Sequence, residues 1–299
     1  MVKKDISDYQ GTLAKTIQFA GVGLHSGKLI QLEVQPAGPG SGIMFSRSDQ
    51  KDSLPIKADT NNISETKLCT TIGSGKQKIA TIEHLMAAFA GLGIDNALVQ
   101  VSADEIPILD GSSAPFVDKL LEAGIQLQSL KRPVIILDQP LEVTHGDQHV
   151  RYEPWPIGSK NCHLEIESVI NFDNSQAIGR QRLSLHFSKK TFLEICEART
   201  FCHVNEVELM RSVGLALGGS LDNAVVVNDT GILNNDGLRY KDEFIRHKVL
   251  DLIGDLALLG GRLVGKISTY KSGHSLHAAF TKEVNKYIND NKEGSIASR

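Results

Sequence analysis

His247, Asp251 and Asp255 recur four residues apart in the segment Glu243–Leu256. That spacing stacks them along one stripe of a helix, where a histidine and an aspartate one turn apart can both reach one cation. A second polar pair, Glu83-His84, stands in a segment with the small residues Ala87, Ala90 and Gly91, which let another segment approach closely. A histidine from elsewhere in the chain, such as His84, joined to His247 and Asp251 makes three ligands with an open position, the arrangement of catalytic zinc. Glu83, adjacent to a ligand, would lie close to a metal-activated water and could take its proton. Each half also has a plainer reading. Glu83 could be an acidic residue favoured in a first helical turn with His84 on the surface, and His247 with Asp251 could be an i,i+4 ion pair.

These residues must be held by regular elements. The pattern predicts a helix from Thr81, placed as its cap, to about Gly91, with Ile82, Leu85, Phe89 and Leu92 on one face toward the core. A longer helix is expected over Asp242–Leu259, with Ile245, Val249, Leu252, Leu256 and Leu259 facing the core. Phe244 and Leu258 fall within its polar stripe, so this helix is apolar nearly all round. Such helices are buried, and buried carboxylates need a metal or a cationic partner. Lys271-Ser272-Gly273-His274-Ser275 is rich in turn formers and reads as a loop carrying His274, a position open to a catalytic or a merely exposed histidine.

Strand-like runs at Leu29–Val34, Ala97–Val101, Leu164–Ile170, Val225–Asn228 and Leu263–Tyr270, with a further helix at Ala114–Ala123, make the chain α+β. The pattern restarts at Val134–Leu137, so two domains are expected, residues 1–129 and 130–299. Ile94-Asp95-Asn96-Ala97-Leu98-Val99 and Leu221-Asp222-Asn223-Ala224-Val225-Val226 echo each other and would fit a duplication. The polar stretch from Thr281 to Arg299 reads as a frayed tail.

With 299 residues, a net charge of -3, 41% hydrophobic and 22% charged residues, the chain reads as an ordinary globular protein with a large core and not as a nucleic-acid binder. No apolar run opens the sequence, so neither a signal peptide nor a membrane span is expected, and the chain is placed in the cytoplasm, without stable membrane insertion and as a monomer. Cys69, Cys162, Cys196 and Cys202 are irregularly spaced, which signals neither a disulfide framework nor a cysteine zinc site. Gly21-Val22-Gly23-Leu24-His25-Ser26-Gly27 resembles a dinucleotide fingerprint but carries one residue too many before its last glycine and leads into a strand. Gly73-Ser74-Gly75-Lys76 lacks the upstream glycine of a P-loop and reads as a hairpin turn.

Taken in order, Gly21–Gly27, Thr81-Ile82-Glu83-His84-Leu85, Ala198-Arg199-Thr200-Phe201, Asp236-Gly237-Leu238-Arg239-Tyr240, His247-Lys248-Val249-Leu250-Asp251 and Lys271-Ser272-Gly273-His274 resemble the UDP-3-O-acyl-N-acetylglucosamine deacetylases of lipid A biosynthesis. The resemblance runs from about Thr16 to about Leu276. It implies two similar domains, each a sheet packed on a helix pair, with the active site in the cleft between them. It further implies Zn2+ on His84, His247 and Asp251, Glu83 as general base, Asp255 orienting His274, and Thr200 beside the developing oxyanion. Lys248, Phe201, Lys271, Leu24, Cys69 and Ala224 become substrate contacts, and an insert at about 201–224 with Val204, Val207 and Leu215 an acyl passage. Cys202-His203 stands where the family pattern has a glycine and an apolar residue. The substrate implied is an acylated UDP-amino sugar, hydrolysed to the free amine and acetate. Two other readings stay open: a zinc amidase of another N-acyl substrate, which would usually present H-E-x-x-H, and a lipid- or nucleotide-sugar-binding module with structural zinc, which would normally have four ligands.

Overall fold

The structure, a computed structural model, describes residues 6–291. Its strands bury alternate side chains: Leu29–Pro36 buries Ile30, Leu32 and Val34, and Leu164–Phe172 buries Leu164, Ile166, Ser168 and Ile170. One face of each sheet therefore packs inward while the other meets solvent. The first five-stranded sheet runs in the order Ile17–Val22, Leu29–Pro36, Ala97–Val101, Ile43–Arg47, Ile56–Lys57. The second runs Leu141–His145, Gln148–Glu153, Gly265–Tyr270, Leu164–Phe172, Gly179–His186.

The two sheets repeat one plan. In each, the central strand is antiparallel to the neighbour on one side and parallel to the neighbour on the other. A parallel pair needs a long crossover, which here contains a helix. The helices are α1 (Glu83–Leu92), α2 (Ala114–Ala123), α3 (Lys189–Leu193), α4 (Val204–Ser212), α5 (Glu243–Leu256) and α6 (His274–Asp290). The crossover into Ala97–Val101 contains α1, with α2 following that strand; the crossover into Gly265–Tyr270 contains α5, with α6 following. The chain is thus α+β with two similar halves. The sequence echo does not mark that repeat, because Val225–Val227 pairs with Phe201–His203 in a separate two-stranded sheet and not in either five-stranded one. The counterpart of Ala97–Val101 is Gly265–Tyr270.

Helices α1 and α5 pack against each other between the two halves, which brings the polar residues of both into the centre of the molecule. Gly254 makes this approach possible: a Cβ there would lie 2.1 Å from the Glu83 carbonyl oxygen. Around the crossing, Phe89, Phe116, Phe244 and Phe280 are fully buried, each contributing about 1.5–3 kcal/mol of hydrophobic stabilisation.

Several boundaries differ from those expected. Thr81 does not cap α1: its backbone is left-handed, at a φ of 59°, and its hydroxyl donates to Glu105 Oε1 at 3.2 Å. The long second helix is α5 continued by a 3-10 turn, Ala257–Leu259. His274 is not in a loop but is the first residue of α6, whose last turns include 281–290 of the stretch expected to fray. Asn291 caps that helix, and the remaining residues, 292–299, lie outside the described residues. Gly73-Ser74-Gly75-Lys76 forms the turn of a hairpin between Thr71–Ser74 and Gln77–Ile79. The expected boundary between residues 129 and 130 falls within the strand Ile125–Lys131, which pairs with Tyr9–Leu13. The four cysteines are free thiols. Among the described residues no helix is long and apolar enough to cross a membrane.

Candidate active site

The α1–α5 crossing sets the first turn of α1 against the middle of α5. His84 Nε2 lies 3.6 Å from Asp251 Oδ1, and His247 Nε2 lies 3.3 Å from the same oxygen. All three side chains are buried, and their ligand atoms lie within 4.8 Å of one another. Lys248 Nζ donates to Asp251 Oδ2 at 2.9 Å, whereas Oδ1 is buried without a hydrogen-bond partner. A buried carboxylate oxygen left in that state is costly, so the geometry fits a cation between the three groups.

The protonation states agree with that fit. His247 Nδ1 donates to the Ala198 carbonyl at 3.0 Å, which leaves the Nε2 lone pair facing Asp251. Burial pushes the imidazole of His247 down to about 3, so it is neutral, as a metal ligand must be. Burial would raise the Asp251 carboxyl, but His247 and Lys248 beside it hold it well below the usual range. Two imidazoles and a carboxylate are a donor set that would suit a metal ion such as zinc.

A second compact trio, Asp255, His274 and His277, has a different character. Asp255 Oδ2 accepts from His274 Nδ1 at 2.8 Å and from His277 Nδ1 at 2.7 Å, and Asp255 Oδ1 accepts from the Thr70 hydroxyl at 2.5 Å. Its atoms satisfy one another as hydrogen-bond partners. Burial would raise the Asp255 carboxyl, but His274 and His277 bring it down to about 2. Burial would likewise lower His274, yet Asp255 and Glu83 outweigh it and push the imidazole up to about 9. His274 is therefore a cation at neutral pH.

Glu83 is buried beside His84 and pushed up by that burial, a condition that favours accepting a proton near neutrality. Its Oε2 accepts from the Thr70 backbone N–H at 3.0 Å, and its Oε1 lies 3.8 Å from His274 Nε2. His84, His247, Asp251, Glu83 and His274 thus converge, although α1 comes from one half and α5 and α6 from the other.

They open into a cavity of about 360 Å³ whose wall also includes Leu24, Thr200, Phe201, Lys248 and Lys271. Thr200 is placed by its neighbour Arg199, a buried guanidinium bonded to Glu243 at 2.9 Å and to Asp236 at 3.0 Å, which ties this segment to the start of α5. The Thr200 backbone N–H donates to Gly111 at 2.8 Å, while among the described residues its hydroxyl has no partner. Lys248 Nζ sits 5.6 Å from the centre of the Phe201 ring. Lys271 pairs with Asp147 at 2.9 Å. Cys69 and Ala224 do not line this cavity: both are buried, and burial pushes the Cys69 thiol up to about 12.

The insert at 201–224 lies beside the cavity. Val204, Val207 and Leu215 are half-buried, and Leu209, Val213, Leu217 and Leu221 are exposed. Leu217 and Gly218 donate backbone N–H groups to the carbonyls of His25 and Leu24 at 3.1 and 3.0 Å. A Cβ on Gly218 would come 2.2 Å from the Gly23 carbonyl, so the Gly21–Gly27 motif is where the insert seats. At the departure Cys202-His203, burial pushes the Cys202 thiol up to about 11, and His203 caps α4.

Three site residues escaped the sequence reading. Thr70 touches Glu83, Asp255 and His274, and its only signal was adjacency to Cys69. His277 stands three residues after His274, a spacing that would have pointed to it had α6 been expected. His25 lines the cavity with both ring nitrogens buried and without a partner.

A sequence model of the UDP-3-O-acyl N-acetylglycosamine deacetylase family matches residues 10–286. The UDP-3-O-acyl-N-acetylglucosamine deacetylase of Geobacter sp. (strain M21) is 44% identical over 277 residues, covering 92% of this chain and 88% of that protein. The enzyme of the same name from Methylococcus capsulatus is 46% identical over 269 residues, covering 90% and 87%. That of Haemophilus influenzae is 43% identical over 279 residues, covering 92% and 89%.

Proposed function

The chain belongs to the UDP-3-O-acyl N-acetylglycosamine deacetylase family, and from that premise we propose that it hydrolyses the N-acetyl group of a UDP-3-O-acyl-N-acetylglucosamine to a free amine and acetate, in lipid A biosynthesis. The observation that carries this reading is the meeting of His84, His247 and Asp251 around an unpartnered Asp251 Oδ1, with Glu83 alongside.

His84, His247 and Asp251 would hold a zinc ion, which would supply Lewis acidity to lower the pKa of the attacking water toward about 7. The protein's own groups do the rest. Glu83, raised by burial and adjacent to His84, accepts the proton of the attacking water. The unpartnered Thr200 hydroxyl and the Nε2–H of cationic His274 donate to the oxygen of the tetrahedral carbon, about 3 kcal/mol for each well-placed donor. His274 also holds the proton that the departing glucosamine nitrogen needs, and Asp255 keeps its ring in place.

Lys248, Phe201, Lys271 and Leu24 lie on the cavity wall where the remainder of the substrate would extend. The insert offers apolar side chains to the 3-O-acyl chain, with Cys202 and His203 shaping its entrance. Cytoplasmic turnover accompanies this reading, since the substrate is a nucleotide-activated sugar, and the chain is proposed to act as a monomer.

The test is acetate release from UDP-3-O-acyl-N-acetylglucosamine over several acyl lengths, beside N-acyl substrates lacking the UDP group. The proposal expects release only from the acylated UDP-sugar. Equal turnover of simple N-acyl substrates would make the chain a general amidase, and no release from any of them would leave a binding role.

A further inference from the structure

Glu83 lies on α1, Asp255 on α5 and His274 on α6, and Thr70 reaches all three. It is 1% exposed and precedes the hairpin strand Thr71–Ser74. Its backbone N–H donates to Glu83 Oε2 at 3.0 Å, and its own carbonyl accepts from the Ile82 N–H at 3.3 Å, just before α1. Its hydroxyl donates to Asp255 Oδ1 at 2.5 Å and lies 3.2 Å from His274 Nδ1.

The proton count fixes the direction of these bonds. Asp255 Oδ2 already accepts from two imidazoles, so the carboxylate is an acceptor only, and the Thr70 hydroxyl proton points to Oδ1. A lone pair of the hydroxyl then faces His274 Nδ1, which must carry a proton. Nε2 is thereby the atom turned toward Glu83, 3.8 Å from Oε1. The same loop is tied again to the first turn of α6, where Thr66 and Ser275 hydroxyls meet at 2.9 Å. Between the two tethers Leu68 is held at a φ of 67°, a conformation that side-chain-bearing residues rarely adopt unless their surroundings impose it.

We infer that Thr70 is a positioning residue that sets Glu83 and His274 relative to each other across the two halves, its N–H orienting the Glu83 carboxylate and its hydroxyl orienting the Asp255–His274 pair. The inference rests on the hydrolytic reading of the site. A misplacement of about 1 Å in such a constellation costs about a hundredfold in rate, so a residue bonded to both partners controls turnover without touching substrate.

Thr70→Val keeps the backbone N–H and the side-chain shape but removes the hydroxyl, while Thr70→Ser keeps the hydroxyl and removes the methyl. The expected result for Thr70→Val is a kcat lower by about tenfold to a hundredfold, with KM changed less than about twofold and zinc content as in the wild type. Thr70→Ser restores kcat to within about threefold of the wild type. Independently of turnover, the low-field Nδ1–H resonance of His274 in the NMR spectrum shifts or broadens in Thr70→Val and stays in place in Thr70→Ser. If Thr70→Val does not fold, Thr70→Ala is measured instead and read in the same way. Wild-type kcat in Thr70→Val, equal loss in Thr70→Ser, or a loss explained by missing zinc would each overturn the inference, as would an unmoved His274 resonance. A wild-type protein that releases no acetate defeats the hydrolytic reading first, and the resonance still tests the clamp.

Discussion

Glu83 Oε1 and His274 Nε2 face each other at 3.8 Å from opposite halves of the molecule, one a carboxylate pushed up by burial and the other an imidazole pushed up to about 9. The carboxylate is suited to receive a proton and the imidazolium to deliver one.

The pH dependence follows from that pairing. The proposed mechanism needs Glu83 deprotonated and His274 protonated, so kcat/KM should fall as pH drops through the raised Glu83 value and fall again as pH rises through about 9. Asp255 is the first of the carboxylates that raise His274. In Asp255→Asn the basic limb therefore moves to lower pH and the maximum rate drops. A basic limb that stays where it was would separate it from His274.

On the proposed reading, metal retention depends on the orphaned oxygen of Asp251. Asp251→Asn replaces the ionised carboxylate with a neutral amide and leaves Lys248 without its anion, and His247→Ala removes a neutral imidazole. Both variants should lose stoichiometric zinc in elemental analysis, whereas Thr200→Val should keep it and lose turnover through the missing oxyanion donor, about a hundredfold.

The α1–α5 crossing has a mutational signature. A Cβ on Gly254 would come 2.1 Å from the Glu83 carbonyl, so Gly254→Ala must push α1 away from α5. Overpacking of this kind costs about 1–3 kcal/mol, read as a lower urea midpoint, and it moves Glu83 and His84 together away from Asp251. Gly231→Ala is the control: nothing lies within 4 Å of its Cβ position, and it should stay within about 0.5 kcal/mol of the wild type.

What the sequence disclosed was what period and spacing encode. The four-residue stripe on α5 and the small residues around Glu83-His84 were legible because helix geometry converts spacing into a shared face. The alternating strands gave the α+β class for the same reason. Helix α6 was obscured by the turn formers before it, though Leu276, Phe280 and Val284 recur every four residues and are all buried. The start of α1 was misplaced because the Thr81 hydroxyl donates to Glu105, 24 residues away, a contact set by tertiary packing and not by local propensity. Thr70 was out of reach altogether: its three partners lie on three helices, and only the packed hairpin brings them together. Substrate identity came from family likeness, since spacing carries no information about a sugar.

The most direct measurement is acetate release from UDP-3-O-acyl-N-acetylglucosamine, taken with bound zinc on the same preparations of wild type and Glu83→Ala. The account predicts one zinc per chain in both proteins, with turnover in Glu83→Ala reduced by at least about a hundredfold, at the scale of general-base loss. Normal turnover in Glu83→Ala with its zinc in place would contradict it.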